Sequence, residues 1–185
     1  TGTVKLTQHE IDLFRHLGYV KLPTQLDQGR VKALKSAALK DLEEGLEPIT
    51  PREDGTPHRL SNDWGRGSVF REMVQCDEIQ DPLESLLGPN IDFLLNRHNH
   101  FYLRERESTA SIELHRDVRQ WSRTIVTILI YLEDTNLENG CTCLVPGSHL
   151  LPAFRDASND ETLRISLSQT VPVPVSYTHL TLPTI

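Results

Sequence analysis

The stretch Thr124, Ile125, Val126, Thr127, Ile128, Leu129, Ile130, Tyr131, Leu132 constrains the fold more than any other part of the chain. It is almost continuously apolar and rich in β-branched residues, the pattern of a strand buried on both faces. Such a strand needs sheet neighbours and a covering layer. The chain offers further short segments punctuated by Gly and Pro. Residues 91–103 read as one long or two short strands, 111–114 as another, and 142–145 as a strand ending before Pro146-Gly147; strands are also predicted at 163–167 and 171–175. Several short strands closed by such turns point to a sandwich or a double-sheet jelly roll.

Helices precede the strands. Thr7, Gln8, His9, Glu10 has the S/T-x-x-E form of a capping box, with Leu6 and Ile11 placed as its hydrophobic staple. Ile11, Phe14 and Leu17 mark one apolar face, and Gly18 supplies the left-handed residue that ends the helix before a short strand at 19–22. Asp27 opens a second helix with Val31, Leu34, Ala38 and Leu42 at helical spacing, closed by Gly45 and Pro48. Short helices are predicted at 69–74 and 82–87. Residues 47–67, rich in Pro, Gly and polar side chains, are too long for a simple connector and are predicted to be a mobile functional loop or a lid. The fold class expected is mainly β with N-terminal helices (α+β).

A chain of 185 residues suffices for one domain with a sizeable core. Its 19 basic against 26 acidic residues leave a net charge of −7, which argues against a general nucleic-acid or anionic-membrane surface. No apolar run approaches the roughly 20 residues that cross a bilayer. Three cysteines, Cys76, Cys141 and Cys143, without a secretory leader fit a reducing compartment, with the cytoplasm as default. Cys141 and Cys143 point the same way along their strand but lack the further ligands that zinc requires.

His115, Arg116, Asp117 form H-x-D at the end of a predicted strand. In extended geometry positions i and i+2 face the same way, so an imidazole nitrogen and a carboxylate oxygen can reach one metal ion from a single segment. With a second histidine from a distant strand they would complete the 2-His-1-carboxylate triad that holds Fe(II) and leaves one face open. The alternative is a surface His and Asp flanking Arg116 in a turn. Trp121 follows closely enough to wall a substrate pocket, or is plain core. Thr127 interrupts the apolar strand with a hydroxyl that needs a partner once buried, either a cosubstrate carboxylate or a neighbouring carbonyl. His98 and His100 share a face by period two and read as satisfied strand polars.

The order of segments carries a resemblance. Leu6-Thr7-x-x-Glu10-Ile11 with Gly18-Tyr19-Val20, then His115-x-Asp117, then Tyr131-Leu132-Glu133-Asp134, Glu138-Asn139-Gly140 and Pro146-Gly147-Ser148-His149 resembles the phytanoyl-CoA dioxygenase family of Fe(II)- and 2-oxoglutarate-dependent oxygenases. The resemblance implies a double-stranded β-helix (jelly roll, cupin-like) with helices outside it and iron held by His115, Asp117 and a later histidine. It also implies 2-oxoglutarate chelating the iron with its far carboxylate on an arginine, and dioxygen and a small organic molecule as the reactants. Asn99 resembles an Asn that contacts 2-oxoglutarate in several members. His149 falls in what is a structural turn of the family. The alternative is a non-catalytic cupin-like binding module in which H-x-D is vestigial.

The ends depart from the pattern. The chain starts at Thr1 rather than Met, and 175–185, Val-Ser-Tyr-Thr-His-Leu-Thr-Leu-Pro-Thr-Ile, resembles the in-frame translation of a sequencing-library adapter. The expected organisation is an incomplete oxygenase domain over 1–174 (helical 1–90, β core 91–174) and a non-native tail over 175–185. That tail is expected to pack poorly, His179 is refused as a ligand, and the fragment is expected to be inactive because the second metal histidine and the cosubstrate arginine are missing.

Overall fold

The computed structural model of the chain describes residues 4–22, 26–95, 99–103, 124–150, 170–174 and 180–183. In chain order these form α1 (Gln8–Leu17), β1 (Tyr19–Lys21), α2 (Gln28–Glu43), β2 (Ile49–Pro51), β3 (Pro57–Ser61), α3 (Ser68–Val74), α4 (Asp77–Leu87), β4 (His100–Tyr102), β5 (Leu129–Ile130), β6 (Thr142–Leu144), β7 (Val171–Val173) and β8 (Leu180–Pro183), with short 3₁₀ helices at Asp63–Arg66 and Ser148–Leu150. This is a mixed helix and strand fold. Among the described residues no helix is long and apolar enough to cross a membrane. The chain divides into two compact units, Thr1–Lys5 with Gln25–Ser108, and Leu6–Thr24 with Thr109–Ile185.

In the first unit, Asp27 caps α2 by accepting from the Arg30 N–H, and the buried side of that helix is Val31, Leu34 and Ala38, as the spacing predicts. Phe70 and Met73 of α3 and Ile79, Pro82 and Leu83 of α4 are buried in the same unit. Pro82 lies inside α4 rather than at its start. Its missing N–H deletes one helical hydrogen bond while its ring fills a fully buried position. Three strands in the order β2-β3-β4 complete the unit, with Leu60 of β3 wholly buried and the Phe101 ring edge-on to Phe70 at 5.5 Å.

The expectation of a mobile loop or lid at 47–67 is corrected here. The segment is the antiparallel hairpin β2-β3 followed by the 3₁₀ turn, and one side chain ties it down. Arg66 donates through Nε to the Ser61 carbonyl (2.7 Å), through Nη1 to Asp41 (3.1 Å) and the Leu46 carbonyl (2.9 Å), and through Nη2 to the Pro48 carbonyl (2.9 Å). A guanidinium carries five donors in a planar fork, which is why one arginine can gather backbone from so wide an arc. Of the predicted strand at 91–103 the described residues show β4, and within the 124–132 stretch only Leu129–Ile130 is strand. The segments 111–114 and 163–167 lie outside the described residues.

In the second unit α1 begins and ends as its chemistry requires. Thr7 Oγ1 accepts from the Glu10 N–H and Glu10 Oε2 accepts from the Thr7 N–H, completing the capping box. Gly18, at φ +83°, returns its N–H to the Phe14 carbonyl. β1, β8 and β5 form an antiparallel sheet in that order, and β6 pairs with β7. The tail was expected to pack poorly, and the structure differs: Leu180–Pro183 is the middle strand, with Val20 opposite Leu182 and Leu129 opposite Thr181. Leu-Thr-Leu has the period of a strand, and its backbone groups pair with those of β1 on one side and β5 on the other.

Candidate functional site

The segment after β5 is a turn held by its own side chains. Asn136 Oδ1 accepts from the N–H groups of Glu138 and Asn139, while Asn139 Oδ1 accepts from the Asn136 N–H at 2.7 Å and its Nδ2 donates to the Asp134 carbonyl. Gly140, at φ +85°, completes the turn, and the chain enters β6. Asn recurs in this turn because its short amide can mimic backbone on both sides. On β6 the Thr142 hydroxyl receives a hydrogen bond from the Tyr131 hydroxyl at 2.7 Å, a part-buried polar pair.

Pro146-Gly147-Ser148-His149 then closes onto the C-terminal end of α1. The Gly147 N–H donates to the Leu17 carbonyl and His149 Nε2 donates to the Arg15 carbonyl at 2.9 Å, so two carbonyls with no partner inside the helix are satisfied. The His149 ring lies over Gly18 so closely that no Cβ fits there. His149 therefore serves a backbone role in this structure, with Nδ1 buried and unpartnered. Sequence reasoning placed His149 in a structural turn but missed its target, although Gly18 was part of the same motif set.

Of the residues proposed from sequence, His115, Asp117 and Trp121 lie outside the described residues, as do His98 and His179. Thr127 is half-buried, two residues before β5. Asn99 belongs to the first unit, where Oδ1 accepts from the Trp64 N–H (3.2 Å), Nδ2 donates to the Leu95 carbonyl (3.2 Å) and its own carbonyl accepts from the Asn62 N–H. Both ends of its amide thus brace neighbouring backbone, leaving one Nδ2 hydrogen and further lone pairs for anything else. His100 lies edge-on to Tyr102 at 4.6 Å.

Two groups stand out electrostatically. Asp63, at the start of the 3₁₀ turn, has one carboxylate oxygen buried without a partner, and burial pushes its pKa up to about 7 against the opposing pull of Arg66. Burial, with help from Glu78, pushes the Cys76 thiol up to about 11, so that cysteine stays protonated and donates to the Met73 carbonyl. All three cysteines are free thiols. A cavity of about 290 Å³ lined by Lys5, Glu84, Ser85 and Pro89 contains none of the sequence candidates.

Among the described residues no group of three or more His, Cys, Asp or Glu side chains could hold a metal ion. His115 and Asp117, the ligands expected from sequence, fall outside those residues; as donor types, an imidazole nitrogen and a carboxylate oxygen suit Fe(II), whereas Cys141 and Cys143 offer only two thiols for a softer ion.

The chain combines a mixed helix and strand scaffold, a Pro-Gly-Ser-His turn packed onto the N-terminal helix, and an H-x-D pair in its sequence. The sequence pattern of the phytanoyl-CoA dioxygenase family matches residues 14–177, and the chain belongs to that family. Its fold is similar to those of EvdMO1 (23% identity, TM-score 0.74, 96% of this chain and 43% of that one) and of AviO1 from Streptomyces viridochromogenes Tue57 (26%, TM-score 0.70, 100% and 86%). It is also similar to SnoK, a non-heme alpha ketoglutarate dependent carbocyclase from nogalamycin biosynthesis (22%, TM-score 0.75, 100% and 77%). The chain thus spans less than half of EvdMO1 and most of the other two. A comparison with curated proteins finds no match.

Proposed function

We propose that the chain is the iron-binding part of a non-haem Fe(II)- and 2-oxoglutarate-dependent dioxygenase, built on a double-stranded β-helix, that hydroxylates a small organic substrate. The observation that carries this reading is the family match over 14–177, which contains His115-x-Asp117 in its expected order with the Asn-Gly and Pro-Gly-Ser-His turns. The alpha ketoglutarate dependence named for SnoK supports the cosubstrate. His115 would hold the metal through a neutral imidazole nitrogen and Asp117 through a carboxylate oxygen. Bound there, iron supplies the oxidative decarboxylation of 2-oxoglutarate to succinate coupled to oxygen insertion into a C–H bond. Because Asp117 is a carboxylate rather than a small residue, no ligand position is freed for halide, and hydroxylation or desaturation is favoured over halogenation. Thr127 and the unused Nδ2 hydrogen of Asn99 are the proposed donors to 2-oxoglutarate, and Trp121 is the proposed wall of the substrate pocket. His179 is left out of the ligand set, since its flanking residues resemble nothing in the family.

The test is metal binding read apart from turnover. Co(II), used as a spectroscopic stand-in, should show a ligand-field band that Asp117→Gly removes while the far-ultraviolet circular dichroism stays unchanged; Asp117→Gly should likewise abolish any iron-dependent succinate release. A Co(II) spectrum or a turnover indifferent to Asp117→Gly would refute the assignment.

A further inference from the structure

The three-stranded sheet of the first unit turns one face inward, with Leu60 wholly buried and Phe101 against Phe70. Alternation along the strands puts Arg59 and Ser61 of β3 and His100 and Tyr102 of β4 on the opposite face. The register sets Thr50, Arg59 and Tyr102 in one row and Ser61 and His100 in the next.

Arg59 is anomalous on that face. The other described arginines all have acceptors: Arg15 has Asp12, Arg30 has Glu78, Arg52 the Leu103 carbonyl, Arg66 Asp41 and three carbonyls, and Arg71 the Trp64 carbonyl. Among the described residues Arg59 has none, and its Nε is buried with no hydrogen-bond partner. A guanidinium cannot shed its charge, so a buried donor of this kind is left unsatisfied even though the chain carries 26 acidic residues. Its described neighbours in the register carry hydroxyls: Ser61 in the next row, and Tyr102 directly opposite, 58% exposed, its ring held against those of His58 (5.2 Å) and His100 (4.6 Å).

We propose that this outer sheet face binds an oxyanion, a carboxylate or phosphate group on a small molecule, through the fork of Arg59 with the Tyr102 and Ser61 hydroxyls. A planar fork that lacks a protein acceptor matches the two oxygens of such a group, and charge complementarity supplies the attraction. A small molecule rather than a nucleic acid is the occupant, because a chain of net charge −7 repels a polyanion. The site lies wholly within one unit and is independent of the iron reading.

Titration calorimetry of the chain at low ionic strength, with inorganic phosphate and separately with acetate, tests it. Saturable binding should weaken by about tenfold or more in Arg59→Gln and severalfold in Tyr102→Phe, and stay unchanged in Arg15→Gln, a surface arginine far along the sequence. Stronger binding of phosphate assigns a phosphate group, and stronger binding of acetate a carboxylate. Tyr102→Phe touches only an exposed hydroxyl, so it decides the matter if Arg59→Gln fails to fold. No saturable binding of either anion, equal binding by the wild-type chain and Tyr102→Phe, or an equal loss in Arg15→Gln would overturn the proposal.

Discussion

Replacing Arg66 with methionine keeps most of the stem volume and removes the guanidinium that gathers residues 46–61. Its side chain is 5% exposed and that of its partner Asp41 is 14% exposed, so the variant strands a carboxylate in a site with little access to water. Stripping one partner from a buried ion pair costs about 3–5 kcal/mol. The bonds to the Leu46 and Pro48 carbonyls lie at the solvent edge, where water can replace the lost donor, so they add little. The ion pair therefore dominates, and the expected loss is about 4 kcal/mol out of a typical total of roughly 5–15 kcal/mol. At about 2–4 °C per kcal/mol for a chain of this size, the melting temperature should fall by roughly 8–16 °C. Urea unfolding followed by tryptophan fluorescence measures it, and the double variant Arg66→Met with Asp41→Leu should regain most of the loss, since deleting both charges leaves none unpaired. A loss under about 1 kcal/mol, or a double variant no better than the single one, would refute the view that this arginine holds the hairpin in place.

Asp63 should make stability depend on pH in the direction opposite to an ordinary salt-bridged carboxylate. With a folded pKa raised to about 7, the native state holds its proton more tightly than the unfolded chain, so this contribution is fully present below pH 4 or so and is lost as pH rises through about 7. Asp63→Asn should flatten that slope and stabilise the protein at pH 8 by roughly 1–2 kcal/mol, discounted for partial exposure; a slope unchanged by the variant would count against the buried, unpartnered oxygen as its source. Gly18→Ala should cost about 2–3 kcal/mol, combining the left-handed backbone with the collision against the His149 ring, and adding His149→Ala should recover part of it in a double-mutant cycle. Strict additivity of those two changes would show that the ring does not press on Gly18.

What was legible in the sequence is what neighbouring residues decide among themselves. The Thr7 capping box, the Gly18 terminator, the Asp27 cap and the apolar face of α2 are interactions within four residues or so, and the structure has each. The hairpin at 49–61 was illegible because its order depends on Arg66 reaching back to Asp41, and a run of Pro, Gly and polar residues looks the same whether or not a distant guanidinium ties it down. Pro82 misled for a similar reason: it reads as a helix start, yet α4 begins earlier and pays one hydrogen bond for a buried ring. Strand pairing is nonlocal too, and composition alone did not reveal that Leu180–Pro183 would complete a sheet with β1 and β5. The site divides along the same line. His115-x-Asp117 is a local pattern whose chemistry can be stated from two residues, whereas His149 acquired its role from Arg15 and Gly18, more than a hundred residues away in sequence. Asn99 shows the same dependence, since an amide noticed for a cosubstrate also braces the backbone of Trp64 and Leu95. A polar residue in this chain therefore declares its function only when its acceptors are known, and by that criterion Arg59, with no acceptor among the described residues, is the side chain whose partner most needs to be found.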